Sequence, residues 1–207
     1  MRIAILGSTG RVGKRVLHKA LHDGHDVTAL VRNPDNLVEL RSDQLTVLHG
    51  DVRHAEHLRR SLQQAELVIS CLSTDGGTVL TESMPLIISG MQEAGIPRII
   101  TIGTAGILQS REYPGLLRYE TPDTRRSSTR AAEEHRKAWE LLAASGLAWT
   151  VICPTYLPDG EPQGGYRVEK DYLPEGGMSI SVGDTAAFTY SEALQRDYVN
   201  CRVGLAY

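Results

Sequence analysis

The feature that most limits how this chain can fold lies near its start. Gly7-Ser8-Thr9-Gly10-Arg11-Val12-Gly13 follows an apolar run at 2–6 and leads into an amphipathic stretch at about 10–23. In that stretch Val12, Val16, Leu17, Ala20 and Leu21 recur at helical spacing, and Gly24 supplies the stop. Glycines at such a junction let a strand turn sharply into a helix whose first N–H groups stay open. The spacing is GxxGxxG instead of GxGxxG, but the mechanics carry over. Small residues allow the backbone to approach a pyrophosphate, and the helix N-terminus faces its charge. The loop has the context this chemistry needs, because 26–31 reads as the next strand.

The rest of the chain repeats the alternation. Strands are predicted at 44–48, 67–72, 98–102 and 149–152, and helices at 54–62, 80–94 and 128–144, with a short helix starting at Asn33-Pro34-Asp35. Apolar strands separated by amphipathic helices call for a parallel sheet covered on both faces. The expected fold is α/β: a single NAD(P)-binding Rossmann domain over 1–207, built on a doubly wound parallel sheet. Beyond 152 the pattern changes. Residues 153–182 collect prolines together with Gly160, Gly164, Gly165, Gly176 and Gly177, as expected of a lid-like region of loops and short strands over a substrate site. A helix at 184–195 and a strand at 201–206 follow.

Composition narrows the partners. With 207 residues, 41% of them hydrophobic, the chain can bury a core, and its formal charge of −3 argues against a dedicated nucleic-acid binder. No apolar stretch approaches the roughly 20 residues that span a bilayer. The opening apolar run stops at Gly7, too short for an export signal, so a cytoplasmic location is expected. Cys71, Cys153 and Cys201 sit in apolar runs without CxxC spacing and read as buried thiols. His18, His22 and His25 lie on a polar helix face, and like His54 and His57 they have no Cys or carboxylate cluster to complete a ligand set, so no metal site is predicted. The expected partner is a small-molecule acceptor, with the protein a monomer or weak homodimer.

Arg32 ends the second strand, where an Asp or Glu would take both ribose hydroxyls of NAD. A guanidinium fork there suits a 2′-phosphate, and Arg11 could reach the same group from the loop. NADP(H) is therefore expected over NAD(H). Gly50-Asp51-Val52, after the third strand, is placed to flank the adenine.

Several motifs together resemble the atypical short-chain dehydrogenase/reductase group of NAD(P)H-binding, NmrA-like proteins, and within it the biliverdin reductase B or flavin reductase branch. They are GSTGRVG at 7–13, VTALVRNPDNL at 27–37, HGDV at 49–52, TIGTAGIL at 101–108 and SGLAWTVICPTYL at 145–157. The resemblance implies that Gly7, Thr9, Gly10, Arg11, Val12, Arg32, Asp51 and Val52 contact the cofactor, with Leu72 and Ser73 beside it. It also implies that Thr104 lies near the nicotinamide, that Pro154 and Thr155 wrap it, and that His135 borders the substrate pocket. Tyr156 stands where the flavin reductase branch has a histidine. Asp75 stands where that branch carries a cation, which tempers the NADP preference.

Thr104, His135 and Tyr156 are thus the candidate catalytic residues. By pattern alone Thr104 also reads as a helix or turn cap, and His135 as a half-buried histidine sharing a helix face with Ala131, Ala138, Trp139 and Leu142. Tyr166 and Lys170 reproduce a YxxxK spacing, but the pair acts as an acid–base unit only on a helix. Here it follows Gly164-Gly165 in an alternating, strand-like pattern, which would hold the two side chains about 13 Å apart. Hydride delivery to a conjugated acceptor needs less proton chemistry than ketone reduction, because the acceptor's π system takes up the charge. The charged 111–137 segment reads as a solvated loop and helix open to an anionic acceptor such as a flavin phosphate. An NADPH-dependent reductase of a flavin-like or other conjugated acceptor is expected, with flavin as substrate. The alternatives are an NmrA-like redox sensor without turnover and an epimerase or dehydratase relative.

Overall fold

Two-residue alternation within each strand decides which side of the sheet every helix covers. In the computed structural model, which describes residues 1–40, 42–122 and 128–207, the chain runs β1 (Arg2–Leu6), α1 (Arg11–His22), β2 (Asp26–Val31), β3 (Leu45–His49), α2 (Ala55–Leu62), β4 (Leu67–Ser70) and α3 (Val79–Glu93). It continues through β5 (Arg98–Ile102), α4 (Arg130–Ala143), β6 (Ala148–Pro154), β7 (Arg167–Lys170), α5 (Val182–Gln195) and β8 (Cys201–Ala206). Ile3 and Ile5 of β1 turn to one face, where Val16 and Leu17 of α1 and Ala186 and Tyr190 of α5 pack. Ala4 and Leu6 turn to the other, under Leu58 of α2, Met84 and Ile87 of α3, and Leu142 of α4. Each fully buried Ile or Leu contributes roughly 1.5–3 kcal/mol, so this two-sided core sets the register.

The strands form one sheet in the order β3-β2-β1-β4-β5-β6-β8-β7. All neighbours are parallel except β7 and β8, so the expected all-parallel sheet gains one antiparallel edge strand. That strand comes from within 153–182, and Arg167 anchors it by donating to the carbonyls of Glu175 (2.6 Å) and Tyr207 (2.9 Å). β6 runs on to Pro154 because β8 pairs with it as far as Leu205. β4 stops at Ser70, before the expected 72, because the chain at Cys71 and Leu72 passes directly beneath Gly7.

The order reverses between β1 and β4. Their carboxyl ends therefore diverge into a crevice, the place where doubly wound sheets hold ligands. At the opposite end of the sheet Arg98 and Glu192 form an ion pair of 3.0 Å with side chains only 4% and 1% exposed. No helix among the described residues is long and apolar enough to cross a membrane.

Candidate functional site

A cleft of about 390 Å³ opens at the carboxyl ends of β1, β2, β3 and β4. Its floor is the glycine turn. Gly7 has φ +75°, and a Cβ there would stand 2.7 Å from the carbonyl carbon and oxygen of Cys71. A Cβ on Gly13 would lie 2.1 Å from the Gly7 carbonyl oxygen, so the helix can begin this close to the turn only without a side chain. Gly10 caps α1 with no side-chain hydrogen bond, and the first turn of α1 carries no acid. The uncapped N–H groups and the positive end of the helix dipole thus serve an anion beside the glycine turn. A dinucleotide pyrophosphate fits this cradle, which a Cβ would fill.

Gly7, Thr9, Gly10, Arg32, Asp51, Val52, Leu72 and Ser73 all line the cleft, so the structure brings together most of the residues expected at the cofactor. Two others turn elsewhere. Val12 is buried against the core under α1. Arg11 reaches across to the 153–182 region, donating to the Leu157 carbonyl and to Asp159 Oδ1, both at 3.0 Å. Arg15, one turn on, grips both carboxylate oxygens of Glu161 at 2.7 Å. The two arginines tie that region to the N-terminal half of α1.

Arg53 and Thr78 also line the cleft and were not singled out from the sequence. Arg53 takes Asp51 in a two-point grip (Nη2–Oδ2 2.7 Å, Nε–Oδ1 3.1 Å), which holds the Asp51 carboxyl down to about 2. The signal for Arg53 was only its position directly after Asp51-Val52. Cys71 is also in the lining, where burial pushes its thiol up to about 12. It is therefore a neutral thiol at ordinary pH, not a nucleophile.

The residues expected around the nicotinamide lie outside this lining, at the carboxyl ends of β5 and β6. Thr104 follows β5 and accepts a hydrogen bond from the Gly106 N–H at 3.4 Å, capping a short 3-10 turn. Pro154 closes β6. Thr155 Oγ1 donates to the Met178 carbonyl at 3.4 Å, and the Tyr156 carbonyl accepts from Ile180 N–H at 3.0 Å. Tyr156 is 71% exposed. His135 lines a small hollow with Thr101, Met84 and Trp139 beneath the end of β5.

One helix face needs correction. His135 does not share a buried face with Ala131, which is exposed; Ala132 and Glu134 are buried instead, with Ala138 and Leu142. Ala132 packs on Leu117 and Tyr119, and Glu134 accepts from the Thr81 hydroxyl at 2.9 Å, so contacts to the 117–119 turn and to α3 set the helix phase. In the charged 111–137 segment, residues 123–127 lie outside the described residues. Arg111 pairs with Glu169, and Arg136 pairs with Glu120 (2.6 Å) and Glu140 (2.7 Å). Arg111 is thus tied to β7, and Arg136 bridges α4 to the turn that holds Glu120.

Tyr166 and Lys170 are not an acid–base pair. Lys170 ends β7, Tyr166 directly precedes it, and the Tyr166 ring meets Phe188 edge-on at 6.1 Å between centroids. Burial pushes the Tyr166 phenol up, the reverse of what an activated base needs.

Comparison with known proteins agrees with this geometry. A family model described as NAD(P)H-binding matches residues 7–196. The Bacillus subtilis protein YwnB is 26% identical over 98% of this chain and 96% of its own length. Among solved structures, a Bacteroides thetaiotaomicron protein assigned as an epimerase superposes with a TM-score of 0.86 at 26% identity, covering 100% of this chain and 96% of its own. A Streptococcus pneumoniae protein assigned as an NADH-flavin reductase does so at 0.83 and 25% identity, covering 100% and 99%.

Proposed function

The chain belongs to the NAD(P)H-binding family, and from that premise we propose that it is an oxidoreductase passing hydride from NADPH to a flavin-like or other conjugated acceptor. The observation that carries this reading is the uncapped N-terminus of α1 above a glycine turn, opening into a cleft with Arg32 on its rim. The likeness to the Streptococcus pneumoniae protein assigned as an NADH-flavin reductase supports the same direction.

In this assignment the glycine turn and α1 hold the pyrophosphate, Asp51 and Val52 flank the adenine, and Arg32 faces the adenosine ribose. Leu72, Ser73, Thr104, Pro154 and Thr155 border the nicotinamide end. The reduced nicotinamide supplies the hydride when bound. The chain's own task is to orient the acceptor, exclude water and provide a hydroxyl or imidazole near the acceptor. Thr104, His135 and Tyr156 are the groups assigned to that task. Residues 153–182 serve as the lid, and Arg11, paired with Asp159, ties that lid to the first turn of α1. The misplaced Tyr166–Lys170 pair counts against epimerase or ketone chemistry, which relies on a helical Tyr–Lys unit.

The test is purified protein with NADPH and, in turn, FMN, dichlorophenolindophenol and biliverdin. Steady NADPH loss above the background rate with at least one acceptor is expected. Tight NADPH binding with no oxidation by any of them would overturn the reductase in favour of a sensor that binds without turnover.

A further inference from the structure

The Arg32 guanidinium is not a free cation. Its Nη2 meets Asp75 Oδ2 at 3.0 Å on the rim of the cleft. The loop after β4 is shaped to hold the carboxylate there. Gly77 N–H closes a turn on the Thr74 carbonyl at 2.7 Å, Asp75 sits in the left-handed region at φ +48°, and Gly76 follows at +70°. Arg130 of α4 fixes the far side of the turn by donating to the Gly77 carbonyl at 3.1 Å.

The charges around this point do not sum to a phosphate site. Arg32 faces Asp75, and Arg53 is taken by Asp51 at 2.7 Å with Glu82 4.0 Å away. Within the cleft lining two cations thus stand against two carboxylates, and neither is left over for a phosphate. A 2′-phosphate brings further negative charge and competes with Asp75 for Arg32, whereas a ribose diol brings donors that an ionised carboxylate accepts. Because the pair is exposed, 71% and 60% at the two side chains, its own stability is small and the displacement is feasible.

We propose that Asp75 is the residue that sets the cofactor preference of this cleft, holding Arg32 in a neutral pair so that NADH is accepted alongside NADPH. The proposal rests on the cleft being the NAD(P)H site. It makes the loop after β4, and not the end of β2 alone, the determinant of specificity. Asn at position 75 removes the charge and keeps the turn, since Asn tolerates the left-handed region as well as Asp does.

The experiment is calorimetric titration of the wild type, Asp75→Asn and Asp75→Glu with NADPH and with NADH, with no acceptor present. In Asp75→Asn the ratio of the NADH to the NADPH dissociation constant is expected to rise about tenfold at low salt, mostly through tighter NADPH binding. The gain shrinks as salt increases, and Asp75→Glu stays near the wild type. A ratio that moves less than twofold in Asp75→Asn, while both nucleotides bind, would overturn the assignment. Absence of binding by either nucleotide to any of the three proteins would instead remove the NAD(P)H reading of the cleft, and this assignment with it.

Discussion

The two ends of the sheet each carry an arginine–carboxylate pair at 3.0 Å, and the two pairs do opposite work. Arg98–Glu192, at the amino end of β5, is buried to within a few percent, while Arg32–Asp75, above the carboxyl ends of β2 and β4, is mostly in solvent. The buried pair sits in a network of partners, with Arg98 Nε left without one among the described residues. Arg98 also donates to Thr150 Oγ1 at 2.6 Å, and Glu192 accepts the backbone N–H groups of Asp197 and Tyr198 at 3.0 Å each. It locks α5 to the sheet and closes the turn that leads into β8. Among the described residues the exposed pair has no such network, so it can open for a ligand at little cost. The same separation thus gives rigidity at one end and exchangeability at the other, and burial makes the difference.

The sharpest way to break that comparison is to remove one carboxylate from each end. Glu192→Ala strands a buried guanidinium and two backbone donors, and should cost about 3–5 kcal/mol in denaturant unfolding. Asp75→Asn, which keeps the left-handed turn, should cost under about 0.5 kcal/mol, as an exposed substitution does. Comparable losses from the two would show that burial is not what separates them.

Next in size is the glycine turn, the rigid part of the exchangeable end. Gly13→Ala places a methyl 2.1 Å from the Gly7 carbonyl, a contact that only backbone movement relieves. The expected cost is about 1–3 kcal/mol of stability, with NADH and NADPH affinities falling together. Loss of stability with both affinities intact would detach the turn from cofactor binding. Arg32→Ala should do the reverse. It leaves stability unchanged and weakens NADPH about tenfold, or roughly 1.4 kcal/mol, with NADH little affected. Equal losses for the two nucleotides, measured by the same titration, would refute the phosphate role of Arg32.

The same contrast between ends explains what could be read without coordinates. The glycine turn was legible because strand, turn and helix are encoded locally, and the 3.6-residue spacing of Val12, Val16 and Ala20 fixes which way α1 faces. Tyr166 and Lys170 could be set aside from the Gly164-Gly165 break and the strand-like residues that follow, which form β7. What escaped depends on contacts distant in sequence. Arg11 looked like a phosphate ligand, yet it bonds Asp159, 148 positions away. The exposed Ala131 follows from how Ala132 seats on the 117–119 turn, a packing choice that no helical period contains. Arg98–Glu192 is a pairing across 94 positions between two residues that look like ordinary surface charges. Local rules therefore found the cradle, and long-range charge pairing decided which arginines are at liberty to use it.

Asp51–Arg53 offers an intermediate case that grades the comparison. The pair is shorter, at 2.7 Å, and its carboxylate is 19% exposed while the guanidinium is 49% exposed. Arg53 holds the Asp51 carboxyl at about 2, below the ordinary value of 3.8. A carboxyl depressed in the folded state adds stability that is complete above about pH 4 and is lost as the pH falls through 2. With solvent screening of the arginine, that contribution is of the order of 1 kcal/mol, between the losses expected for Glu192 and Asp75. Unfolding measured from pH 6 to pH 2 should show wild type and Asp51→Asn differing by about this amount near neutrality and converging toward pH 2. A gap that stayed constant with pH would mean that Asp51 stabilises through its backbone-facing hydrogen bonds and not through its charge, and the graded relation between burial and pair strength would fail at its middle point.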